Sequence, residues 1–83
     1  VAEKSERAAA LQIIRDYHAA QLTELVERVG HAIDRLRAGD GDAFDADAAI
    51  FQCSRAAKEL WKFCNLDDLY NVAEAIRQQR RYD

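Results

Sequence analysis

Apolar residues recur along this chain at spacings of three and four, the repeat of an α-helix with a buried side. From about Ser5 to Ala38, Leu11, His18, Leu22, Leu25, Val26, Val29, Ile33 and Leu36 share one stripe at about 100° per residue. That stripe is expected to face a core. The opposite side changes along the helix. In its C-terminal half Glu24, Glu27, Arg28, His31, Asp34 and Arg35 form an ordinary solvated face, whereas in its N-terminal half Ala9, Ile13, Tyr17 and Ala20 form a second apolar one. The spacing predicts a second helix over 46–64, with Ala46, Ala49, Ile50, Cys53, Ala57, Leu60 and Cys64 as its stripe. Trp61 and Phe63 flank that stripe and are expected in the core, Phe63 against a third helix over 67–80 that buries Leu69, Val72, Ala73 and Ile76.

The breaks between these segments carry capping chemistry. Gly39 is placed to close the first helix in the left-handed conformation. Asp42 or Asp45 can accept hydrogen bonds from the free N–H groups of the second helix, and Asp47 suits the positive end of its dipole. Asn65-Leu66-Asp67-Asp68 reads as a corner with a fresh N-cap and acidic first-turn residues.

Composition supports the same picture. The 83 residues include no proline and three glycines, and strong helix formers outnumber β-branched residues. The expectation is one all-α domain over 1–83, a three-helix bundle or helical hairpin. Its long first helix carries an antiparallel second helix and a short third one. A core in so short a chain supplies about 3–5 kcal/mol of net stability. Lengths then suggest an oligomer. At about 1.5 Å per residue the first helix is near 50 Å and the second near 28 Å. The second should reach back only to the level of residue 20. Something else must then bury Ile13 and Tyr17, and a second copy is the simplest candidate because closed two-fold dimers are the commonest assemblies. Ala9, Ile13, Tyr17 and Ala20 are the expected self-association residues, and Ile13→Asp is expected to dissociate the dimer while leaving the helices formed.

Cys53 and Cys64 lie eleven residues apart on one helix, about 16 Å along its axis, too far for a disulfide. Both read as buried thiols, which fits a reducing, cytoplasmic setting. No apolar run approaches the length of a membrane span, and the charged start at Val1-Ala2-Glu3-Lys4 does not resemble a secretory leader.

Candidate chemistry is sparse. The acidic loop at Asp40, Asp42, Asp45 and Asp47 fails the calcium-loop pattern at its fifth, sixth and twelfth positions, where Phe44, Asp45 and Phe51 stand. Glu27, His31 and Asp34 share a solvated face and find no matching set on the other helices. His18 lies on the apolar stripe and is read as a core-edge imidazole bonded to a carbonyl or to Tyr70, with metal or small-ligand binding as the alternative. Ser5, Thr23 and Ser54 sit in no nucleophile elbow, and no glycine-rich phosphate loop is present. No catalytic residue, metal ligand or cofactor is therefore expected. With a net charge of −3, nucleic-acid binding is disfavoured, although Arg55, Lys58 and Lys62 make a basic ridge with Phe51 among them. That ridge is a possible partner surface.

Ser54-Arg55-Ala56-Ala57-Lys58-Glu59-Leu60-Trp61-Lys62-Phe63-Cys64, with the acidic loop before it, resembles a stretch in short, uncharacterised helical proteins of actinobacteria. Such proteins often carry a histidine at the position of Ser54. The resemblance implies a helical fold and a bacterial cytosol and brings no activity. The reading that follows is a non-enzymatic, self-associating helical protein that binds a protein partner. A nucleic-acid accessory role and a ligand-binding bundle stand behind it.

Overall fold

The computed structural model describes residues 2–66 and 68–82, without the side chains of residues 2, 81 and 82. Three helices account for nearly all of them: α1 (Ala2–Ala38), α2 (Ala43–Cys64) and α3 (Leu69–Tyr82). No strand occurs among the described residues. The 37 residues of α1 set the long dimension of a molecule measuring 57 × 22 × 22 Å. Both α2 and α3 pack on α1, and they touch each other little.

Local chemistry explains each boundary. Gly39 takes φ +81°, and two hydrogen bonds close the end of α1, Asp40 N–H to the Arg35 carbonyl at 2.9 Å and Gly39 N–H to that of Leu36 at 3.2 Å. This is the Schellman arrangement, which satisfies carbonyls that the helix leaves free. α2 opens with a capping box: Asp45 N–H donates to Asp42 Oδ1 at 2.9 Å, and Asp42 N–H donates to Asp45 Oδ2 at 3.2 Å. The box starts α2 at Ala43, three residues before the predicted start. At the second break, the Asn65 side chain donates to the Trp61 carbonyl at 2.9 Å. Asp68 Oδ1 then accepts from the N–H groups of Tyr70 and Asn71, so the acid caps α3 from outside it. Asp67, expected in the first turn, lies outside the described residues.

Contacts between α1 and α2 run in opposite order along the two helices. His31, Ala32 and Arg35 share a cleft with Ala49 and Gln52, Leu25 and Arg28 meet Cys53 and Ala56, and Tyr17 meets Phe63. Each pair sums to about 80, which fixes the register. At the far end Tyr70 lies beside Glu3, Lys4 and Arg7, while Ile76, fully buried, shares a core with Ala10, Ile14, Cys64, Val72 and Ala73.

This core corrects two expectations. The longer α2 brings Cys64 to Ile14 and Phe63 to Tyr17, rather than stopping at residue 20. Ile13 and Tyr17 are half-buried against the chain's own core, with the Tyr17 and Phe63 rings edge to face at 5.8 Å. Part of the surface of each is thus covered within the chain. The predicted stripe of α1 also marks the contact line only in part, with Leu11, His18, Leu25, Val29 and Ile33 half-buried. The buried residues are Ala10, Ile14 and Ala32, whereas Leu22, Val26 and Leu36 are exposed. Alanine lets the helix axes approach closely, so α1 turns its small residues toward its partners and leaves larger ones outside.

Candidate interaction surface

The fold leaves several large apolar side chains uncovered, Phe44 most of all. Val26 is 58% exposed, Ile50 52% and Trp61 60%, with Leu22 and Leu36 just under 40%. Trp61, expected in the core, stands in water instead. Its place on α2 is the reason. At about 100° per residue, Ile50, Ala57 and Trp61 lie within about 40° of one another, at the edge of the sector that Cys53, Leu60 and Cys64 turn inward. On α1, Leu22, Val26, Val29, Ile33 and Leu36 span about 80° beside the line of Ala32 and Ile14. In both helices this set, which joins exposed Leu22, Val26, Leu36, Ile50 and Trp61 to half-buried Val29, Ile33 and Ala57, is displaced from the contact line in the same rotational sense. For helices paired in opposite directions, that places both sets on the same side of the pair.

One side of the α1–α2 pair therefore carries exposed apolar residues from both helices. Its α1 part runs about 21 Å from Leu22 to Leu36. A shallow cleft on the outer flank of α1 beside it is lined by Ala19, Leu22, Thr23, Val26 and Glu27. The other side of the pair carries Ile13 and Phe63, which pack against the core that α3 contributes to. α3 thus covers the N-terminal half of α1, and the apolar residues from Leu22 to Leu36 lie beyond that cover.

The residues singled out from sequence fall differently. Ala9 and Ala20 are exposed, and Ile13 and Tyr17 are half-buried as described. Phe51, Arg55, Lys58 and Lys62 are all exposed on α2, at one flank of the bare face. The Arg55 guanidinium lies 5.8 Å from the Phe51 ring centroid, within cation–π range, and Lys62 Nζ is 3.3 Å from Glu59. His18 is half-buried, and Tyr70, offered as its partner, lies at Glu3, Lys4 and Arg7 instead. Cys64 is buried and Cys53 half-buried, both as free thiols, and burial pushes the Cys64 thiol above its ordinary value of 9.0. Among the described residues no three His, Cys, Asp or Glu side chains gather as a metal site. No described helix is long and apolar enough to cross a membrane.

Leu22, Val26, Ile50 and Trp61 were each placed on or beside a core-facing stripe by periodicity. Their exposure was hidden because a stripe shows that a sector is apolar, not which part of it a neighbour covers. Comparison with known proteins adds no relative: no family model matches the chain, and neither a curated protein nor a solved structure does.

Proposed function

We propose that this chain is a non-enzymatic helical interaction protein, a three-helix bundle whose docking surface is the bare α1–α2 face. The observation that carries the reading is Trp61 at 60% exposure on the same edge of α2 as exposed Ile50. Large exposed apolar patches on small proteins mark contact sites, and tryptophan is enriched where partners bind. The dispersed polar groups support a binding role over a catalytic one. The likeness of residues 54–64 to actinobacterial helical proteins points to a bacterial cytoplasm as the setting.

The test is site-specific photo-crosslinking in the source cell type. A photoreactive residue at Val26 is expected to give protein adducts, and one at Glu74, on exposed α3, is not. Adducts at neither position, or equally at both, would remove the reading.

A further inference from the structure

The bare face also suggests its own occupant. We infer that a second copy of the chain docks on it, turned end for end, so that α1 lies antiparallel on α1 and α2 on α2. This rests on the docking-face reading and names its partner.

The first support is area. The exposed parts of Leu22, Val26, Leu36, Ile50 and Trp61 leave on the order of 400–500 Å² of apolar surface in water. A standard interface buries about 800 Å² per partner, of which roughly 60% is apolar. The face thus matches the apolar share of one side of a stable dimer.

The second support is charge. Asp40, Asp42, Asp45 and Asp47 gather at the α1–α2 turn, while Arg15, Lys58 and Lys62 lie toward the other end of the pair. All seven are exposed. Two copies meeting with their turns at the same end would place acid on acid. The end-for-end arrangement places acid on base.

The third support is register. A two-fold axis crossing α1 between residues 27 and 28, and α2 between residues 52 and 53, agrees with the observed α1–α2 register. It sets Val26 of one copy on Val29 of the other and Leu22 on Ile33. On α2 it sets Lys58 on Asp47, and at the ends of the face Arg15 comes to Asp40. Each pairing is made twice, as an isologous contact requires.

The experiment measures mass by light scattering on size exclusion, from low to high micromolar concentration. The chain is expected to run as a dimer, and Val26→Glu as a monomer with unchanged helical circular dichroism. Lys58→Glu and Asp47→Lys are each expected to weaken association by roughly tenfold, since each juxtaposes like charges twice. Mixing the two variants is expected to restore a tight heterodimer, because each altered site then meets its complement. A strict monomer overturns the inference, as does a dimer insensitive to Val26→Glu or a mixture no tighter than its components. A monomer whose Val26 photoprobe still captures another protein overturns the second-copy inference and leaves the docking face standing.

Discussion

At the residue scale, stability concentrates where α3 closes on α1. Among the described residues Ile76 is the one large side chain fully buried, in a core with Ala10, Ile14, Cys64, Val72 and Ala73. Ile76→Ala removes three carbons from a fully enclosed site and leaves a cavity there. The expected cost is about 2–5 kcal/mol in urea denaturation, comparable with the whole stability of a domain this size. The thiols offer a second measurement. Cys53 is expected to alkylate before Cys64, which is buried, and mass spectrometry of partly labelled protein reads the order. Burial raises the folded pKa of Cys64 above its unfolded value, so the folded chain holds that proton more tightly. The resulting stability is fully present below pH 9 and is lost as pH rises through the folded pKa. Denaturation midpoints that rise between pH 9 and pH 10 would contradict the assignment.

At the element scale, two glycines in or beside α1 have opposite roles. Gly30 lies within the helix, and a Cβ built there meets nothing within 4 Å. Gly30→Ala is expected to stabilise the chain by about 0.5–1 kcal/mol, through helix propensity. Gly39 holds φ +81° at the Schellman turn, where Gly39→Ala is expected to destabilise by about 1 kcal/mol although space is open. Thermal melts of the two variants should move in opposite directions. These features were legible beforehand: the Gly39 cap, one of the two aspartates named for α2, and three helices with their order. The start of α2 was not, because Asp42 and Asp45 are equally good caps taken singly. They cooperate only once Asp42 is the cap and Asp45 the third helical residue.

At the scale of the whole molecule, the two apolar sides have been given different duties. Ile13 belongs to the side that packs within the chain. Ile13→Asp is therefore expected to lower stability by about 2–4 kcal/mol, by placing a carboxylate against the core, rather than to separate intact subunits. Val26→Glu, on the bare side, is expected to leave the unfolding free energy of the isolated chain within about 0.5 kcal/mol. Chemical denaturation at low micromolar concentration distinguishes them, and equal losses for both would mean that the two sides are not distinct.

The sequence by itself determined that this is a helical chain broken after Gly39 and again near Asn65, because periodicity, glycine and capping aspartates act over a few residues. It also showed that α1 is apolar around more than one face. Only the tertiary structure decided which of those faces meets the rest of the chain. The rotation of α1 depends on how closely Ala10 and Ala32 let neighbouring helices approach, and the burial of Ile13 depends on where α3 settles after its corner. Both are long-range packing choices, and they left Trp61 and Val26, rather than Ile13 and Tyr17, facing the water.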